Sequence, residues 1–198
     1  MQVLFIVILI FSIILHEMAH GYMADWLGDP TARLQGRLTL NPIPHIDPVG
    51  SLLLPGLMII MGSPFIFGWA KPVPFNVFNL KNRKWGPALV AVVGPVTNLL
   101  IAIVFAVILN MFGADFSEFL TQFFYSVIIT NIALAVFNMV PIPPLDGHHI
   151  LFALLPDSLQ HIKHSLGRSS FAILILFVVF GWRVISPVIS WIMDLLIL

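Results

Sequence analysis

The chain has 198 residues, 59% of them apolar and only 9% charged, with a formal net charge of zero and a mean hydropathy of +1.02. Soluble domains average roughly 25% charged residues, so this is the composition of an integral membrane protein. The few, balanced charges leave no basic face to neutralise phosphates, which excludes a nucleic-acid partner, and the lack of cysteine leaves His, Asp and Glu as the available metal ligands.

Residues 3–27 read as a membrane helix, apolar through Leu15, then carrying His16, Glu17 and His20 before Gly28-Asp29-Pro30 stops it. No basic segment precedes the run and no small-residue cleavage site follows it, so it is expected to be retained. "TARLQGRLTL", residues 31–40, alternates apolar and polar positions and predicts one or two short strands. "NPIPHIDPVG", residues 41–50, holds three prolines and reads as a shaped loop. The apolar stretch 51–67 is interrupted by Pro55-Gly56 and Gly62-Ser63-Pro64 and runs into the extended "GWAKPVPFN", residues 68–76. Residues 87–112 and 119–140 are two clear spans, the first containing Gly94, Pro95 and Asn98, the second Asn131 and Asn138. A fourth begins near Ser169 and extends toward Leu198, bent near Gly181, Arg183 and Pro187.

Eight of the nine Lys and Arg residues fall in residues 28–86 and 145–168, whereas the connection after residue 112 carries only Asp115 and Glu118. The positive-inside rule places both basic regions in the cytoplasm and both termini outside. Stretch 51–67 must then leave and return on one side, as a re-entrant or hairpin segment turning near Pro55-Gly56 or Gly62-Pro64. The expected fold is an all-α polytopic membrane protein, one domain over 1–198. It has about four full transmembrane helices, the hairpin segment and a short cytoplasmic-side β element.

His16-Glu17-Met18-Ala19-His20 is H-E-x-x-H on a helix, which sets two imidazoles on one face to ligate one divalent ion. Glu17 beside them suits a general base that takes a proton from water and passes it to a leaving amine. Ionisable groups at this depth are costly and mark function. A catalytic zinc usually has three protein ligands. Candidates for the third are Asp25, Asp29, His45, Asp47, Asp146, His148 and His149. Asp25 and Asp29 are better explained by capping or solvation at the wet end of the helix, and His148 and His149 as interfacial residues. Asp146 is preferred: it follows an apolar helix, precedes the permissive Gly147, and its anionic oxygen offsets the dication's charge. It could equally cap the next helix. Asn98 reads either as interhelical glue or as a donor to a substrate carbonyl or oxyanion. Asp25, Arg33 and His45 are expected to line a cleft that admits water.

"HEMAH", "NPIPHIDPVG", "GWAKPVPFN", "GPVTN" and "FNMVPIPPLDG", in this order, resemble the site-2 protease family of intramembrane zinc metalloproteases, in particular its small prokaryotic members. The resemblance implies one zinc ion on His16, His20 and Asp146, Glu17 as catalytic base, and a catalytic or substrate-binding role for Asn98. It implies cleavage of peptide bonds in or near transmembrane segments of a protein substrate in the lipid bilayer, with a separate regulatory membrane protein as a candidate partner. Neither the PDZ nor the CBS domain common among relatives is recognisable here. The rival readings are a metal-binding membrane protein or divalent-cation transporter, and a metal-dependent hydrolase acting on lipid or a peptide tail.

Overall fold

The computed structural model describes residues 2–62 and 68–197. Among them the regular structure is entirely helical. It comprises α1 (Gln2–Trp26), the single turn α2 (Thr31–Leu34), α3 (Leu54–Ile60), α4 (Gly86–Phe112), α5 (Glu118–Asn138), α6 (Gly147–Leu154), α7 (Gln160–Arg168), α8 (Ser170–Phe180) and α9 (Trp182–Leu196).

Among the described residues three helices are long and apolar enough to cross a membrane: Val3–Trp26, Gly86–Asp115 and Glu118–Asn138. A fourth crossing exists only if α8 and α9 count as one span broken by a 59° bend at Gly181. The three long helices expose large apolar side chains outward, among them Phe5, Ile10, Leu100, Val104 and Ile129, a surface that suits lipid and would be costly in water.

α4 is the central helix. Its buried positions Ala91, Gly94, Asn98, Ala102, Ala106 and Leu109 recur every three or four residues and form one stripe of mostly small side chains. Helices in lipid gain little from expelling water, so their association depends on close van der Waals contact, which small residues permit. Against α4 pack both α1 and α5. Ile185 and Ile189 of α9 close the far end over Ala102, Ala106, Ile128 and Ile132.

The strands expected over 31–40 are not formed. The Asp29 carboxylate accepts from the Thr31 backbone N–H (3.2 Å) and side-chain hydroxyl, which starts a helical turn, and Leu34 N–H closes it on Pro30 O (2.9 Å). An alternating pattern makes a strand only if another strand pairs with it, and none does among the described residues. The hairpin excursion does return. α3 runs through Pro55 and Gly56, so the chain does not turn there; the helix ends at Met61–Gly62. The alternative turn, Gly62-Pro64, falls partly outside the described residues. On the way back Trp69 N–H donates to Gly50 O (3.1 Å), Ser51 Oγ–H to Trp69 O (2.8 Å) and Lys71 N–H to His45 O (2.9 Å), pinning the extended chain beside the loop it left.

Candidate metal centre

His16 and His20 sit one turn apart on α1. Both are buried, and Asp146, at the start of α6, brings its carboxylate between them. His16 Nε2 lies 3.0 Å and His20 Nε2 3.3 Å from Asp146 Oδ2, and the two Nε2 atoms are 3.0 Å apart. These three residues are the group among the described residues whose ligand atoms converge closely enough to share an ion.

The far side of each ring sets its protonation. His16 Nδ1–H donates to Asn98 Oδ1 (2.5 Å) and His20 Nδ1–H to Val90 O (2.7 Å). With Nδ1 protonated, each neutral imidazole directs its Nε2 lone pair into the triangle. Asp146 Oδ2 is buried there without a hydrogen-bond donor. Three lone-pair atoms facing one another with no proton between them repel unless a cation joins them. A tetrahedral zinc with ligands at about 2.0–2.1 Å would hold its donor atoms about 3.3 Å apart, close to the separations found. The residues therefore fit a zinc ion.

Two glycines make room for this arrangement. A Cβ on Gly94 would stand 2.5 Å from His20 Nε2 and 2.7 Å from His16 Cε1, so α4 can pass the imidazoles only without a side chain here. A Cβ on Gly147 would collide with the Met139 and Val140 carbonyl oxygens. That close approach folds 139–146 back from the end of α5 and lays Asp146 on the histidines. Asp146 holds the N-cap position of α6 but makes no side-chain capping bond.

Asn98 is fully buried, and its amide points away from any open cleft. Its Oδ1 accepts from His16, while Nδ2 donates to Asn131 Oδ1 (2.8 Å) and Ser12 O (3.4 Å). Asn131 in turn donates to Ser12 Oγ (3.0 Å) and Val127 O (2.9 Å). Both Asn98 amide hydrogens are thus engaged, which leaves none for a substrate carbonyl or an oxyanion. Asn98 joins α4 to α1 and α5, the contacts that its reading as interhelical glue expects.

Glu17 is half-buried, and its Oε2 accepts the Val73 N–H (2.7 Å). This bond ties the carboxylate to the returning segment 68–76. Arg37, buried, donates Nη2–H to Lys71 O (2.7 Å) and holds the same segment two residues earlier.

The remaining sequence candidates lie elsewhere. Asp25 pairs with Arg33 (3.2 Å). Asp47 caps the turn at Pro48 by accepting from Val49 and Gly50 N–H. His45 is buried against Thr39 O (2.9 Å), so it lines no open cleft with Asp25 and Arg33. Asp29 is not at a wet helix end: it is fully buried and accepts from Thr31, from Asn76 N–H (2.5 Å) and from Asn79 Nδ2–H (2.8 Å). Burial pushes its carboxyl up, but these hydrogen bonds outweigh that and hold it below the usual carboxylate range. His148 donates to Leu145 O (2.6 Å). Burial, then repulsion from His148, pushes the His149 imidazole down to about 4, which leaves it neutral near pH 7. Sequence reasoning missed the anchoring roles of Asp29, Val90 and Arg37, whose partners lie far along the chain.

Comparison with known proteins bears directly on this geometry. The sequence profile of Peptidase family M50 matches residues 111–180, a stretch that includes Asp146. YwhC of Bacillus subtilis, whose name proposes a zinc metalloprotease, is 41% identical over 162 residues, covering 78% of this chain and 70% of YwhC. The chain belongs to peptidase family M50. Rip2 of Mycobacterium tuberculosis, similarly named, extends the likeness of this M50 chain to 93% of its length at 29% identity, covering 70% of Rip2. The zinc metalloprotease MJ0392 of Methanocaldococcus jannaschii is 24% identical across 95% of the chain, which spans 46% of that relative. No solved structure matches the chain.

Proposed function

We propose that this M50 chain is an intramembrane zinc metalloprotease of the site-2 type, with His16, His20 and Asp146 as the zinc ligands and Glu17 as the general base. The observation that carries the reading is the buried triangle of Nε2, Nε2 and Oδ2, each directed inward by a partner on its far side or by a tight turn. Zinc, when bound, supplies Lewis acidity toward a carbonyl oxygen and toward water.

The chain's own residues supply the rest. Glu17 uses Oε2 to accept the Val73 N–H, which leaves Oε1 to take a proton from the attacking water and return it to the leaving amine. Asn98 and Val90 hold the two imidazoles in the tautomer that ligates, and Asn98 is a positioning residue. A substrate helix hides its carbonyls in its own hydrogen bonds and must unwind before attack. Residues 69, 71 and 73 spend their backbone groups on Gly50, Ser51, His45, Arg37 and Glu17. By the period of two in extended chain, the carbonyls of Ala70, Pro72 and Pro74 face the opposite edge, where an unwound substrate strand can donate to them. Glu17 holds the same segment from its other edge, through the Val73 N–H.

His16 lies ten residues before the end of α1, about 15 Å at 1.5 Å per residue, which puts the centre well inside the span. The basic connections gather where α1 and α5 end and α4 begins, and the positive-inside rule makes that side cytoplasmic. The test is incubation of the reconstituted protein with single-span substrates, with cleavage sites mapped by mass spectrometry. Cuts within or beside the span by the wild type and none by Glu17→Gln support the reading. Equal cutting by both, or turnover confined to lipid, defeats it.

A further inference from the structure

A second cavity lies on the basic side of the molecule, and none of the three metal-centre residues lines it. A cavity of about 370 Å³ opens between the segment leading into α4, helix α6 and helix α7. Arg83, Lys84 and Lys163 line it, a third of the nine Lys and Arg residues in the chain, together with His149, and among the described residues no Asp or Glu is in its walls. Among the described residues none of these three pairs with a carboxylate. Arg83 lies over the Phe78 ring at 5.5 Å, and Lys163 Nζ–H reaches Leu155 O at 3.4 Å; neither contact removes a charge. Pro87 and Phe152 give the cavity an apolar wall.

Its position narrows the ligand. Lys84 precedes the first residue of the α4 span by two positions, and exposed apolar residues of that span begin at Leu89. The cavity thus sits at the boundary between lipid-facing and polar surface. Three converging cations without a carboxylate call for a phosphate-type anion. An apolar wall at the membrane boundary suits an anion attached to acyl chains better than a freely soluble one. We infer that this cavity binds the headgroup of an anionic phospholipid.

The experiment titrates a fluorescent phosphatidylglycerol into the purified full chain held in phosphatidylcholine nanodiscs. Saturable binding is expected. It should weaken about fivefold for each cation removed, and so about a hundredfold in Arg83→Gln/Lys84→Gln/Lys163→Gln. A charge-matched triple at exposed positions elsewhere, Arg33→Gln/Arg168→Gln/Arg183→Gln, should bind as the wild type does. Lys163→Gln alone, on a separate helix from the other two, keeps the test valid if the triple fails to fold. Equal losses in the two triples, an unchanged Lys163→Gln, or unsaturable wild-type binding would overturn the inference. Displacement by inorganic phosphate as readily as by short-chain phosphatidylglycerol would overturn the lipid assignment. The readout is lipid binding, so it stands or falls apart from proteolysis.

Discussion

Asn98 spends its whole amide on His16, Asn131 and Ser12, and this makes it a test of how the centre is tuned. Removing a partner that fixes a ligand's tautomer typically costs 10–100-fold in metal affinity. Asn98→Ala should therefore bind zinc about 10–100-fold more weakly in a competitive chelator titration, while excess zinc restores cleavage. Glu17→Gln should do the reverse, keeping zinc content while cleavage falls by about 10²–10⁴-fold. Gly94→Ala places a methyl group against both imidazoles, so its zinc content should collapse although the added volume is small. The H-E-x-x-H pair was legible in the sequence because its spacing is local and helical. Asn98 was legible as important with two roles left open, since its contacts depend on which side of the amide meets His16, 82 residues away.

Among the elements, the stretch from Asp29 to Asn79 shows where local patterns mislead. Asp29 looked like a solvated helix end because it follows Gly28 and precedes Pro30, yet Asn76 and Asn79 fold back to bury it. Its carboxylate joins the end of α1, the turn α2 and the segment leading to α4. Asp29→Asn should cost about 1–3 kcal/mol, read as a lower thermal midpoint in detergent. The pH dependence follows from the same bonds. A carboxyl held below its unfolded value contributes its full stability above the ordinary carboxylate range and loses it as pH falls through the folded value. Acidification from about pH 5 to 3 should lower the wild-type midpoint more than that of Asp29→Asn. The return of segment 68–76 to the loop at 45–50 agrees with the excursion expected from the distribution of Lys and Arg, although which side of a membrane it lies on is not part of that contact. The predicted strands were not formed: alternation alone cannot specify a partner, and Asp29 offered the Thr31 backbone a helical start instead.

For the whole molecule, three apolar helices form a scaffold crossed by one connected chain of polar side chains: Ser12, Asn131, Asn98, His16 and His20, ending at Asp146. Apolar length revealed the helices. The bend of the last segment was legible from Gly181, where a 59° break separates α8 from α9, but composition does not say whether the bent pair crosses as one span. What the fold achieves is a desolvated, electron-rich triangle held open by Gly94 and closed by the turn at Gly147, and the account depends on that triangle holding zinc. Zinc-edge X-ray absorption on the purified wild type and on Asp146→Asn, with zinc content measured in parallel, is the most direct test. The account predicts one zinc per wild-type chain with imidazole nitrogen and carboxylate oxygen at about 2.0–2.2 Å, and marked loss of zinc in Asp146→Asn. A first shell without imidazole, or zinc held equally well by Asp146→Asn, would contradict it.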